Sequence, residues 1–170
     1  MPSNATEFRV ILAELTRADV EFIVIGGVAA ALHGSPVVTQ DIDIVHRRSP
    51  SNAARLAAAL ARLDARYREH GEKRLRPTGE TLMLPGAHLL DSSRGRIDVL
   101  GTVIGGEQFE ALVGRTVEYE LGGGLVVRVL DLEKLIEMKT ALGRPRDQYA
   151  VIHLEALLAE RRRLGMPRDG

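Results

Sequence analysis

The sequence predicts an α/β (α+β) fold, and three observations lead to it. Apolar residues recur at helical intervals near the start, short β-branched runs closed by glycine follow, and a hairpin signal then precedes two long helical stretches. With 170 residues and no internal repeat or long linker, one domain with a real core is expected. It should run from residue 1 to 163, with a helical part over about 131–163 and a flexible tail over 164–170.

Asn4 and Glu7 have capping-box spacing, and Phe8, Ile11, Leu12 and Leu15 follow with helical periodicity, which predicts a helix from about Ala5 to Ala18. "EFIVIGG" reads as a buried strand closed by glycines, "VAAALHG" as two helical turns ended by Gly34, and "SPVVT" as a loop into the strand "QDIDIV". Ser49 before Pro50 is a helix start, and the alanine-rich run behind it predicts a helix to about Arg66. From Tyr67 to Leu90 the pattern is mixed: "EHGEKRLRPTG" is polar, and "ETLMLPGAHLL" has room for one or two strands. "SSRG" is a turn and "RIDVLG" a strand, since Ile97 and Val99 alternate with Arg96 and Asp98. "GGEQFEALVG" reads as a short helix, and "TVEYELGGGLVVRVL" as a hairpin around three glycines. Asp131 caps the helix "LEKLIEMKTALG", with Lys134 rather than Glu or Gln three residues on, and a last helix is expected from about Arg146 to Arg163.

Composition narrows the function. Lys plus Arg and Asp plus Glu both number 23, so no global field recruits nucleic acid or an anionic membrane, and such binding would need a local patch. The absence of cysteine removes disulfides, thiolate catalysis and thiolate zinc sites, and a cytoplasmic location is the simplest expectation. No apolar run approaches the roughly 20 residues needed to span a bilayer, and "MPSNATEFRV" lacks the pattern of a secretory signal.

Two aspartates carry the chemistry. Residues two apart in a strand share a face, so Asp41 and Asp43 point together while Ile42 and Ile44 point away. Like charges this close repel unless a cation lies between them, and hard carboxylate oxygens suit Mg²⁺ or Mn²⁺ rather than zinc. The other reading of an Asp-x-Asp pair is a solvated strand edge or a turn. Asp98, on the strand face of Arg96, is a third carboxylate that would complete a platform for phosphoryl or nucleotidyl transfer. Gly26 and Gly27, between a strand and a helix start, let backbone amides approach an anion closely; taken alone they read as a tight turn.

"GGVAAALHGSPVVTQDIDIV", "RIDVLG" and "LDLEKLIEMKTALGRPRDQYAVIHLEAL" together resemble the polymerase-beta-type nucleotidyltransferase superfamily, and within it the small bacterial branch of AbiEii-type toxins of toxin-antitoxin systems. The three blocks lie between about Val20 and Leu158. The resemblance implies a mixed β-sheet flanked by helices, a nucleoside triphosphate as substrate, bound Mg²⁺ or Mn²⁺, and transfer of a nucleoside monophosphate to an acceptor hydroxyl. It implies tRNA, a protein or a small molecule as acceptor, and a cognate antitoxin as partner. Carried over, Gly26 and Gly27 would hold the triphosphate, and Asp41, Asp43 and Asp98 would bind metal, with Asp98 nearest the attacking hydroxyl. Lys139 and Arg144 would face the phosphates, and Arg146 and Asp147 match the block before the last helix. Lys139 is otherwise a solvated helix lysine, and Asp147 a helix N-terminal charge. Thr39 either orients the Asp-x-Asp strand or is simply a β-former. Where many relatives have Ser after the glycines and Arg before the Thr, this chain has Val28 and Val37, and both differences remove triphosphate contacts. A nucleotide-binding module of the same fold without turnover is therefore the alternative reading. His33, His46, His70, His88 and His153 lack zinc-ligand spacing and are expected at the surface or locally bonded, with His33 the one beside the glycine loop. "ERRRLG", with Arg144 and Arg146, is either a solvated helix end or a basic strip for RNA.

Overall fold

The structure is a computed structural model that describes residues 4–69 and 74–167. Its frame is a seven-stranded mixed sheet in the order β3-β4-β5-β2-β1-β7-β6. These strands are β1 (Phe22–Ile25), β2 (Asp41–His46), β3 (Arg66–Tyr67), β4 (Ala87–Ser92), β5 (Gly95–Leu100), β6 (Thr116–Glu120) and β7 (Val126–Leu130). The helices are α1 (Asn4–Arg17), α2 (Gly26–Leu32), α3 (Pro50–Arg62), α4 (Gly79–Leu82), α5 (Phe109–Leu112), α6 (Leu132–Leu142) and α7 (Pro145–Arg163). This is the mixed sheet with flanking and C-terminal helices that the sequence predicts.

All four residues of β1 are buried, as expected for a strand with neighbours on both edges. It pairs antiparallel with β2 and parallel with β7, and β2 pairs parallel with β5. Ile42, Ile44, Ile97 and Val99 are fully buried, whereas Asp41, Asp43 and Asp98 on the opposite pleat keep partial access to solvent. α1 packs on β5 and α3, while α6 stacks on α2 and α7.

The local signals act largely as the sequence indicates. Ser49 accepts a hydrogen bond from the Asn52 amide at 3.3 Å and Asp131 one from Lys134 at 2.6 Å, so each caps its helix. Gly143 closes α6 in the left-handed conformation at φ 64°. α3 stops at Arg62 rather than Arg66 because Asp64 turns left-handed at φ 51°, letting the Ala65 amide reach back to Leu60 O at 2.9 Å. Arg66 is thereby released into β3. "ETLMLPGAHLL" holds α4 and one strand, β4, with Thr78 and Thr81 forming a capping box. The expected helix in "GGEQFEALVG" shrinks to the single turn α5 between two 3₁₀ turns. α1 already includes Asn4, and α7 starts at Pro145, one residue before the expected Arg146. Of the expected tail, Leu164, Gly165 and Met166 hydrogen-bond back to Glu160, Arg162 and Arg161, while 168–170 lie outside the described residues.

One buried polar side chain ties α3 to the sheet. The Asn52 amide oxygen accepts from the Glu21 N–H at 2.8 Å, and its NH₂ donates to Glu21 O at 3.0 Å and Arg47 O at 2.9 Å. It satisfies the chain entering β1 and leaving β2 at once. Replacing it with Leu should strand the Glu21 N–H and take one of two bonds from Glu21 O and Arg47 O, which keep the Arg47 N–H and His46 Nδ1, and cost about 2–4 kcal/mol. Thermal melts should show a drop of roughly 5–10 °C; an unchanged midpoint would show that the amide is dispensable.

Candidate functional site

Strand register gathers the carboxylates. Asp43 lies opposite Ile25 of β1 on one side and Asp98 of β5 on the other, and Asp41 lies opposite Arg96. Because Ile25 is the last residue of β1, the chain turns into α2 beside Asp43. Gly26 has φ 66°, and a Cβ there would fall 2.4 Å from Asp43 Oδ2. A Cβ on Gly27 would fall 2.6 Å from the Thr39 Cβ. Both glycines are thus fixed by close approach, not only by turn geometry. The Thr39 hydroxyl donates to Asp41 O at 3.0 Å, so the local, orienting role holds for this residue.

These residues line one cavity of about 660 Å³. Gly26, Gly27, Thr39, Asp41, Asp43 and Asp98 form one side of it. Lys139, Arg144, Arg146 and Asp147 from α6, α7 and the turn between them also line it. Every residue that the sequence singled out for metal or triphosphate therefore borders the same space. Asp147 is no plain helix-end charge: it is buried, accepts from Arg144 Nε at 2.5 Å and Nη2 at 3.2 Å, and has Lys139 Nζ at 3.9 Å. Burial alone would raise its pKa, but the bond from Arg144 and the charges of Arg144, Lys139 and Arg146 hold it below the usual carboxylate range. Lys139 is not a solvated lysine either. Burial lowers its pKa, with Asp147 and Asp43 opposing that shift and Arg144 and Arg146 adding to it.

Asp43 carries the largest strain. Burial first, then the charges of Asp98 and Asp41, push its pKa up to about 7, with Lys139 pulling the other way. Asp98 is also raised by burial, with Arg68 opposing through its charge and hydrogen bond and Asp41 adding repulsion. Asp41 Oδ1 is buried with no hydrogen-bond partner. Hard oxygens, mutual repulsion and an orphaned carboxylate oxygen are what a Mg²⁺- or Mn²⁺-sized divalent cation would relieve, so the donor set fits such an ion. As the side chains stand, however, no three acidic or histidine side chains among the described residues enclose a common point. Asp98 Oδ1 is instead bound to Arg68 Nη2 at 3.0 Å.

Arg68 and the anchor role of Asp147 escaped the sequence reading. Arg68 follows a two-residue strand whose pairing with β4 is long-range, and no local pattern marks it. Of the histidines expected at the surface or locally bonded, His33, His46 and His88 are buried, and His46 is locally bonded through Nδ1 to Arg47 O at 3.2 Å. His33 Nε2 bonds Leu130 O at 2.8 Å and Nδ1 faces the Tyr119 hydroxyl at 3.0 Å, so the ring turns away from the glycine loop. His153 stacks edge-on against Tyr149, and His70 lies outside the described residues. Val28 is buried in the core, whereas Val37 lines the cavity.

No family model matches the chain, and no curated protein matches it. Solved structures do share its fold. A Thermotoga maritima protein with a provisional nucleotidyltransferase assignment is 21% identical, with a TM-score of 0.57 over 95% of this chain and 96% of that one. The lincosamide antibiotic adenylyltransferase LnuA, in its lincomycin-bound form, is 13% identical with a TM-score of 0.63, over 89% of this chain and 96% of that one. ANT(2'')-Ia in complex with adenylyl-2''-tobramycin is 18% identical with a TM-score of 0.59, over 92% and 95%. The architecture is thus that of the nucleotidyltransferase fold.

The raised Asp43 sets a pH dependence. Between its unfolded value of 3.8 and its folded value of about 7, the folded state holds a proton that the unfolded state releases, so stability falls as pH rises through that window. Asp43→Asn removes this loss. In chelator, the variant should gain on wild type by about 2–4 kcal/mol between pH 4 and pH 8 in denaturant titrations. Parallel pH profiles for the two proteins would contradict the buried repulsion.

Proposed function

We propose that this chain is a metal-dependent nucleotidyltransferase that moves a nucleoside monophosphate from a nucleoside triphosphate to an acceptor hydroxyl, releasing pyrophosphate. The observation that carries the reading is the side-by-side pairing of Asp43 with Asp98 next to Gly26, in one cavity with Lys139 and Arg144. Asp41, Asp43 and Asp98 would hold the Mg²⁺ or Mn²⁺, which when bound supplies charge neutralisation at the reacting phosphate and activation of the acceptor hydroxyl.

The rest falls to the chain's own residues. No side chain caps the start of α2, so its backbone amides remain for phosphate oxygens, a role that fits the buried Val28. Gly26 and Gly27 let that backbone come close. Lys139 and Arg144, steadied by Asp147, would meet charge that grows on the departing pyrophosphate. Thr39 fixes the strand end that carries Asp41. Asp98, at the far side of the pair, would lie nearest the acceptor and take the hydroxyl proton.

The solved relatives named for antibiotic adenylylation point to a small-molecule acceptor, whereas the charge of this cavity points elsewhere. Its acidic groups are the three candidate metal ligands and the buried Asp147, and with Lys139 and Arg144 facing the pyrophosphate this leaves the half-exposed Arg96 and the neighbouring Arg146 as the charges offered to an acceptor. A phosphate-bearing acceptor such as a tRNA end suits that rim better than a polycationic drug, and a protein hydroxyl is the next choice. The AbiEii-type toxin branch, a cognate antitoxin and a cytoplasmic location remain part of the proposal. A second reading, nucleotide binding without turnover, draws on Val37 lining the cavity and on the Asp98–Arg68 pair.

Labelled nucleoside triphosphates with Mg²⁺ and a cell extract separate these readings. Pyrophosphate should appear only with metal, and Asp43→Ala should slow it by at least about a hundredfold. Label should enter the RNA fraction. Nucleotide bound with no pyrophosphate from any fraction would leave the binding module; label in the small-molecule fraction would overturn the acceptor assignment.

A further inference from the structure

The cation now beside Asp98 belongs to the chain itself. The Arg68 amide donates to Leu89 O at 2.9 Å, which continues the β3–β4 ladder by one residue beyond Tyr67 opposite Leu90. Leu89 lies opposite Asp98, and Asp98 opposite Asp43. Arg68, Leu89, Asp98 and Asp43 therefore form one row across four strands, and the arginine spans Leu89 to reach the carboxylate. Its Nη2 donates to Asp98 Oδ1 at 3.0 Å and to Leu90 O at 3.1 Å, while Nε donates to Asp91 Oδ1 at 3.3 Å. Two of these anchors do not involve Asp98, so the guanidinium would stay in place if Asp98 turned away.

We propose that Arg68 is a resident counter-ion of Asp98 that opposes loading of free divalent cation, so that the third carboxylate is yielded only when a metal arrives with the charge of a bound triphosphate. This rests on the metal-site reading given above and adds a control to it. Arg68 acts through Asp98 and is a positioning residue, not a catalytic one. A fixed positive charge one carboxylate away repels a free dication, while a metal–triphosphate complex carries net negative charge and is not repelled. Asp98 held by Arg68 also accounts for why the three carboxylates do not enclose a common point, even though Asp41 Oδ1 lacks a partner.

The test is direct Mn²⁺ binding by the full chain, read from loss of the free-ion EPR signal, with and without a non-hydrolysable nucleoside triphosphate. Arg68→Met and Arg68→Gln should bind Mn²⁺ alone about tenfold tighter or more than wild type. Arg68→Lys, which keeps the charge, should stay near wild type. The strengthening of Mn²⁺ binding by nucleotide should shrink in the neutral variants. Equal or weaker Mn²⁺ binding by both neutral variants, with melting curves showing them folded, overturns the inference and leaves the metal site standing. If Asp98→Asn in the Arg68→Met background does not weaken Mn²⁺ binding, the cation lies elsewhere and both readings fall.

Discussion

The pairing of Asp43 with Asp98 across β2 and β5 is the constraint on which the site depends. Neighbouring strands lie about 4.8 Å apart, and two ionised carboxylates at that spacing repel by roughly 3 kcal/mol at an effective dielectric of 20. A sheet does not keep such a pair for its own stability. Here the repulsion is opposed by Arg68 on the Asp98 side and by Lys139 on the Asp43 side. Both are positive charge lent to a negative site, and a divalent cation does the same more strongly.

The surrounding structure fixes that pair in place. Ile42, Ile44, Ile97 and Val99 are fully buried on the other pleat, so slipping either strand by one residue would turn the aspartates into the core and the isoleucines out. Asn52 holds the chain at the outer ends of β1 and β2, and Thr39 holds the strand at the Asp41 end. Gly26 leaves the room that the Asp43 carboxylate occupies, so one missing methyl group lets the start of α2 lie against β2. Asp147 plays the matching part opposite, bringing together Lys139 of α6 and Arg144 of the turn that follows it.

Much of this was legible in the sequence because its signals are local. Alternation put Asp41, Asp43 and Asp98 on the exposed pleat, and Ser49 and Asp131 marked their helices by side-chain chemistry that acts within three residues. What stayed hidden depends on contacts between distant segments. The short reach of α3 turns on Asp64 adopting a left-handed conformation, which an alanine-rich run does not announce. β3 is two residues long and exists only through its pairing with β4, so Arg68 could not be connected with Asp98 beforehand. The burial of Asp147 and of His33 likewise follows from how α6, α7 and the β6–β7 hairpin pack, not from periodicity.

The central claim is that Asp41, Asp43 and Asp98 share a divalent cation. Anomalous diffraction from crystals grown with Mn²⁺ and a non-hydrolysable nucleoside triphosphate tests it most directly. The account predicts a manganese peak within about 2.0–2.4 Å of oxygens from all three aspartates, with the triphosphate reaching toward Gly26 and Lys139. Manganese bound elsewhere, or an Asp98 that remains on Arg68 without touching the ion, would contradict it.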